Sequence, residues 1–404
     1  MSEWKTISAD VFCDSVRDGT HDTPKQVEKG YKLVTAKHIN NGQIDLSDAY
    51  LISEQDYLKI NERSKVEQWD VLMSMIGNGL GKSAVVKDNP EYAIKNLALF
   101  KLGDEIKAKW LHYYLSSKAG QGFIYNSLQG SGQPFISLSL LRKFPIPVPN
   151  DETIMGDVVT VLSRYDSLIE NYQKQIKLLE EAAQRLYKEW FVDLHFPGYE
   201  NTKIVDGVPE GWEKKKISDV CDTIGGGTPS TKVQSYYENG TISWVTPTDI
   251  TKNNSLCLLS TEKKITKEGL DHSSAKMLPA ETILMTSRAS VGYFGICDFE
   301  VCTNQGFISC VPFDNNFQMF LLYNLMNRVE EIRIKAGGST YLEISKSVFR
   351  NFDIICPTDD LICVFQQEAH QLLERMRMIC KQIRLLTEAR DRLLPKLMSG
   401  EIEV

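Results

Sequence analysis

The stretch Gly77-Asn78-Gly79-Leu80-Gly81-Lys82-Ser83 carries glycines, a lysine and a hydroxyl of the kind that cradle phosphate. Its spacing is one residue short, because Ile76 stands where the first glycine of G-x-x-x-x-G-K-S belongs. Such a loop must also lead from a strand into a helix. Here the β-prone Ser83-Ala84-Val85-Val86 follows, which predicts a hairpin turn. Asp88-Asn89-Pro90-Glu91-Tyr92 lacks the second proline of the Asn-Pro-Pro-aromatic motif of amino-methyltransferases, and no G-x-G strand-to-helix fingerprint accompanies it. The histidines His21, His38, His112, His195, His272 and His370 show no metal spacing such as H-E-x-x-H. No Ser/His/Asp or Cys/His set recurs along the chain, so a non-catalytic protein is expected, with no metal site and no cofactor bound by this chain.

What does recur is polar, glycine-rich loop chemistry. Gly19-Thr20 matches Gly227-Thr228, and Asn96 matches the first residue of Asn304-Gln305, each at an offset of 208. Gln129-Gly130-Ser131-Gly132-Gln133 likewise matches Gly337-Gly338-Ser339-Thr340-Tyr341. Asn, Gln, Ser, Thr, Arg and Lys are the side chains that read base edges and grip phosphates. The candidate DNA contacts in the first half are therefore Thr20, Lys37, Asn78, Lys82, Asn96, Ser131, Gln133 and Arg142. In the second half they are Thr228, Thr248, Arg288, Ser290, Asn304, Gln305, Ser339, Tyr341 and Arg350. Arg142 and Arg350 stand at matched positions, and could equally pin each globule to the helix that follows it.

The elements that must position these loops announce themselves by periodicity. Leu162, Tyr165, Ile169, Tyr172, Ile176, Leu179, Ala183, Leu186 and Trp190 fall at alternating steps of three and four. Ala369, Leu372, Met376, Ile379, Ile383, Leu386, Arg390, Leu393 and Leu397 repeat that set at an offset of 207. Such a stripe belongs on a long helix that seeks a partner helix, and the best partner is the other copy. The segment ahead of each helix is also repeated: Ile136, Ser137, Ser139, Arg142 and Phe144 return as Ile344, Ser345, Ser347, Arg350 and Phe352. Between these landmarks, short strands are predicted at Tyr31–Val34, Val71–Ile76, Ser83–Val86 and Leu97–Phe100, with one helix at about Lys109–Ser117. The expected class is α+β. Two mostly-β globules (1–150 and 209–358) alternate with helices (151–195 and 359–404) across a linker at 196–208. Antiparallel helices would relate the halves by a pseudo-two-fold axis.

Composition narrows the rest. A chain of 404 residues, 42% apolar and 25% charged, has room for two to three domains. Its apolar runs are too short to span a membrane, and no secretory leader is visible at the N-terminus. The nine cysteines include no C-x-x-C pair, which fits free thiols in a reducing cytoplasm. The net charge of -7 means that any basic DNA-facing surface must be local or shared with partners.

With the duplication in view, the chain resembles the DNA-specificity subunits of type I restriction–modification enzymes over essentially its whole length. The resemblance is strongest in Leu179-Glu180-Glu181-Ala182-Ala183-Gln184-Arg185-Leu186-Tyr187-Lys188-Glu189-Trp190-Phe191-Val192-Asp193 and in Pro209-Glu210-Gly211-Trp212. It extends to the C-terminal Leu393-Leu394-Pro395-Lys396-Leu397-Met398-Ser399-Gly400-Glu401-Ile402. It implies two target-recognition domains and a subunit without catalysis of its own. It also implies two methyltransferase subunits and restriction/translocase subunits as partners on double-stranded DNA. S-adenosylmethionine, ATP and Mg²⁺ would belong to those partners. A helix over 155–190 would span ~50 Å, so two readers on one face of DNA could sit ~34–36 Å apart. The expected target is bipartite and asymmetric, since the two globules differ. Off-stripe Phe191, Leu194, Arg375, Arg377 and Lys381 are expected to dock partners. The competing reading is a coiled-coil scaffold that gathers proteins without reading DNA.

Overall fold

The computed structural model describes residues 4–40, 42–130, 133–338 and 341–404, and only the backbone of Asn78. Two compact units result, one of Met1–Leu168 with Leu386–Val404, the other of Ile169–Leu385. These units cut the chain elsewhere than the sequence boundaries 150, 195, 208 and 358. Each long helix carries its apolar stripe into a globular core, so its ends count with the globules.

In the first unit, a four-stranded antiparallel sheet runs in the order Ser15–Asp18, Leu97–Lys101, Val71–Ser74, Ser83–Val85. A three-stranded sheet orders Leu51–Ile52, Tyr31–Val34 and Tyr92–Ile94, the last two parallel. Trp4–Ser8 pairs antiparallel with Pro145–Pro149. The alternate prolines strip one edge of that strand of N–H donors, so a third strand cannot join there. The second unit repeats the plan. Its four-stranded sheet runs Cys221–Gly225, Phe307–Pro312, Ile283–Thr286, Phe294–Gly295. Its three-stranded sheet orders Lys263–Ile265, Ile242–Val245 and Cys302–Thr303, again with a parallel pair. Glu213–Lys216 pairs with Asp353–Cys356. The fold is α+β, and the duplication read from loops and heptads extends to strand order.

The two long helices, Glu152–Phe191 and Asp359–Met398, have 40 residues each. The first starts after Asp151, whose carboxylate accepts the Thr153 amide at 2.9 Å, as an N-cap should. Every predicted stripe residue is buried or half-buried. Val158, Val159 and Leu162 join Leu394, Leu397 and Met398 in the first unit's core around Trp110, Phe100 and Phe144. Ala183 and Tyr187 join Phe365, Ala369, Leu373 and Met376 in the second unit's core around Phe320 and Phe349. Arg390 is the odd member of an apolar stripe. Its guanidinium reaches Asp166 at 2.8 Å, and the other oxygen of Asp166 accepts the Tyr113 hydroxyl at 2.6 Å. The chain ends also meet inside the first unit: a side chain at Gly400 would lie 2.5 Å from Trp4 Nε1.

The predicted strands are present, and the predicted helix near Lys109 begins earlier, at Glu105, because Asp104 caps it through the Lys107 amide. Helices Glu54–Ser64 and Lys118–Asn126 were not expected. The 196–208 linker is not featureless either. Ile204–Val205 and Val208–Pro209 form a small hairpin, turned by Asp206 and Gly207 in the left-handed region. Among the described residues, no helix is long and apolar enough to cross a membrane.

Candidate nucleic-acid interface

In each unit the candidate residues gather where the parallel strand pair runs out. Thr35–His38 follows Tyr31–Val34, and Lys95-Asn96 follows Tyr92–Ile94; the Lys95 amide bonds the Val34 carbonyl at 2.9 Å. In the second unit, Thr246–Thr251 follows Ile242–Val245 and the Asn304 amide bonds the Val245 carbonyl at 3.0 Å.

These bonds correct the sequence alignment of the two halves. Lys95, not Asn96, is the counterpart of Asn304, and Asn96 stands opposite Gln305. Gly19 similarly matches Gly226 rather than Gly227: a Cβ on Gly19 would strike the Ile94 carbonyl at 2.4 Å, and one on Gly226 the Thr303 carbonyl at 2.2 Å. A close strand approach demands the glycine, and Gly226-Gly227 offered the sequence two choices.

In the first unit, Thr20, Asn96 and their neighbours form a closed local network. Asn96 adopts φ +55, and its carboxamide oxygen lies 2.9 Å from His21 Nδ1. The other ring nitrogen of His21 meets Asp18, which also pairs with Arg63 at 2.9 Å. Lys37, Lys82 and Gln133 converge at the hairpin tip that the sequence predicted. Lys82 donates to Asn40 Oδ1 at 3.2 Å, and Asn40 donates to the Lys37 carbonyl at 3.0 Å. A side chain at Gly77 would lie 3.2 Å from Gln133 Nε2. Lys37 pairs with Asp48 at 2.8 Å and holds that carboxyl below its ordinary range. Neighbouring His38 is lowered, chiefly by burial; its Nδ1 accepts the Thr35 amide at 2.8 Å, which puts the proton of the neutral ring on Nε2. Asn78 contributes its backbone to the 3₁₀ turn Gly77–Gly79. Arg142 stands apart. Its Nε donates to the Val16 carbonyl at 3.2 Å, a structural bond that ties its short helix to a strand of its own globule and not to the long helix that follows.

In the second unit Thr228, Asn304, Gln305, Arg288, Ser290 and Tyr341 lie along one connected rim. The Thr228 hydroxyl bonds Gln305 Oε1, the Asn304 carboxamide accepts the Gly306 amide at 2.8 Å, and the Gly306 carbonyl accepts the Ser287 amide at 2.8 Å. Ser287 leads into Arg288 and Ser290 at the tip of the hairpin between Ile283–Thr286 and Phe294–Gly295. Arg288 lies 3.5 Å from Glu343, and the Ala289 amide bonds the Leu342 carbonyl at 2.8 Å, which brings Tyr341 alongside. Thr248 is exposed on the helix after Ile242–Val245, and Arg350 is exposed at the end of Lys346–Arg350. Ser131 and Ser339 lie outside the described residues. The loops that hold them close alike: Gln129 bridges Phe135, and Gly337 bridges Glu343. Gly130 (φ +89) and Gly338 (φ +130) take backbone angles that glycine alone adopts readily.

The off-stripe helix residues are used differently than the sequence suggested. Phe191 packs edge-on against Phe320 and Phe365 at 4.9 Å. Arg377 is buried and meets Glu281 at 2.7 Å, and Lys381 meets Asp298 at 2.8 Å, so both grip their own globule. Leu194 is half-buried at φ +60, and Arg375 is exposed. What the sequence reading missed is a different face. From Lys174 to Leu186 the first helix repeats in the second at Lys381, Gln382, Ile383, Leu385, Leu386, Glu388, Ala389, Arg392 and Leu393, whereas residues 152–173 share no identity with 359–380. Leu178 and Leu385 are 63% and 60% exposed, and Arg185 and Arg392 are exposed two turns further along their respective helices. The signal was present as identity outside the stripe.

Comparison with known proteins follows the same lines. The family described as type I restriction modification DNA specificity domain matches residues 1–181 and 209–384. The type I restriction enzyme HindI specificity subunit of Haemophilus influenzae is 25% identical over 434 aligned positions, covering 90% of this chain and 94% of that protein. The MjaIX specificity subunit of Methanocaldococcus jannaschii is 34% identical over 155 residues, 38% of this chain and 36% of its own length. The crystal structure of a type I restriction–modification S subunit from M. genitalium superposes with a TM-score of 0.55 at 15% identity, covering 98% of this chain and 96% of that one. The fold is thus that of a known architecture, and the chain belongs to the type I restriction–modification DNA-specificity family.

Proposed function

We propose that each unit of this DNA-specificity subunit reads one element of an asymmetric bipartite site. The observation that carries this is one strand order used twice with different rims. Thr20, Lys37, Ile76, Lys82 and Asn96 stand in one unit where Gly227, Thr248, Arg288, Tyr293 and Gln305 stand in the other. Two frames of one design carrying unlike donors and acceptors suit two unlike base sequences. The paired helices set the spacer between the elements.

The helices also dock two methyltransferase subunits. Two exposed faces with the same Leu and Arg at the same spacing call for two copies of one partner. Methylation and cleavage reside in the methyltransferase and restriction/translocase partners. S-adenosylmethionine, ATP and Mg²⁺ are theirs, and this chain binds none of them.

The test is the methylation motif of a host that expresses the chain with its methyltransferase. Two short, unlike elements around an unread spacer are expected. Deleting one heptad from both helices removes ~10 Å of helix, about three base pairs of rise, and should shorten the spacer while leaving both elements intact. A single contiguous motif, or an unchanged spacer after the deletion, overturns the reading.

A further inference from the structure

Arg377 lies within the second long helix with its side chain 7% exposed, yet it is fully engaged. It meets Glu281 at 2.7 Å, bonds Glu374 one turn earlier on its own helix, and lies 3.9 Å from Asp298. Lys381, one turn on, closes on Asp298 at 2.8 Å. Glu281 and Asp298 flank one hairpin: Ile283–Thr286 begins two residues after Glu281, and Phe294–Gly295 ends three residues before Asp298. The tip of that hairpin carries Arg288 and Ser290. Glu281 has φ +66, a conformation costly for a side-chain-bearing residue. It is held there from three sides: its amide bonds the Cys297 carbonyl at 2.8 Å, its carbonyl accepts from Gln318 Nε2 at 2.7 Å, and its carboxylate meets Arg377. Charge-assisted bonds are directional, whereas apolar packing lets elements slide. A four-residue strand is about 13 Å long, so a tilt at its base is carried to its tip.

We propose that Arg377 and Lys381 are positioning residues for DNA recognition: by holding the base of the 283–295 hairpin on the helix, they fix the aim of Arg288 and Ser290 at its tip. The first helix carries no arginine at the matched position. The first-helix residue at the position of Arg377 is Glu170, of opposite charge. The inference rests on the reading that two units read two elements. It adds that one element owes its stringency to contacts remote from DNA.

The experiment uses the full chain assembled with its methyltransferase subunit. Arg377→Met, Arg377→Lys and Lys381→Gln are compared with the native chain on duplexes carrying single mismatches in either element. Arg288→Ala identifies the element read by the hairpin tip. Native discrimination at that element should fall roughly tenfold in Arg377→Met, the value of one well-aimed base contact. Arg377→Lys should restore part of it, Lys381→Gln should lose less, and discrimination at the other element should stay unchanged. Equal losses at both elements, or a drop in melting temperature with discrimination intact, would show the clamp to be structural only. If the native assembly shows no two-element site, the functional reading has failed; if it does and these variants keep full discrimination, the clamp has failed.

Discussion

Leu178 and Leu385 give the sharpest test of partner docking. They occupy equivalent positions in the two helices, 63% and 60% exposed, within the block where the helices share nine of thirteen residues. Fully burying a leucine side chain contributes about 1.5–3 kcal/mol. Covering the three-fifths now exposed would contribute about 1–2 kcal/mol at each site, a factor of roughly 5–30 in Kd. Leu178→Ala and Leu385→Ala keep a strong helix former at exposed positions, so stability should change by less than about 0.5 kcal/mol. In sedimentation-velocity titrations with the methyltransferase subunit, each single variant should lose affinity for one partner copy and keep the other. At concentrations between the two Kd values the complex should change from two partners per chain to one. The double variant should lose both. Two partner copies held with native affinity by both single variants, at unchanged melting temperature, would refute the duplicated face as the docking site.

Two further expectations follow from individual side chains. Burial pushes His112 down to about 4 from its ordinary 6.5, with its Nδ1 2.9 Å from the Ser83 hydroxyl. Between those values the unfolded chain binds the extra proton, so the group's contribution is complete above about pH 6.5 and is lost as pH falls toward 4. At most it is on the order of 3 kcal/mol. Urea unfolding at about pH 5 and about pH 7 should show a smaller difference in His112→Gln than in the native protein, and an equal difference would contradict the assignment. Arg350→Ala should weaken DNA binding evenly across sequences and reduce the salt slope by about 1, because its counterpart Arg142 is common to both halves and the elements are not. A loss confined to one base position would instead make Arg350 a reader.

The sequence disclosed what repeats and what has a period. The heptads disclosed both long helices, which end at Phe191 and Met398, one residue past the last stripe members and short of the expected 195 and 404, because an apolar stripe over so many turns has few other uses. Gly130 and Gly338 disclosed their loops because only glycine tolerates those angles. Helix Lys118–Asn126 escaped because its Gly120 and Gly122 form helix poorly; it is held by the packing of Ile124 and by the Ser117 cap on the Gly120 amide. The Arg377–Glu281 pair escaped because nothing local joins residues 96 positions apart. Offering Arg377 to an outside partner was the natural reading.

The choice of site residues carries a bias with a physical cause. Internal repetition was used to choose them, and it selects for what the two halves share. If the halves read different bases, a shared side chain can see only what both elements have in common, the phosphate backbone and the shape of the duplex. Arg142 bears this out in part, since its guanidinium serves a strand carbonyl. The base readers must be sought where the frame is kept and the residue is not. The register correction supplies such pairs: Thr20 against Gly227, Lys95 against Asn304, and Asn96 against Gln305. Transplanting the second member of each pair into the first unit should alter one element of the motif and spare the other, an outcome that exchanging Arg142 for Arg350 cannot produce.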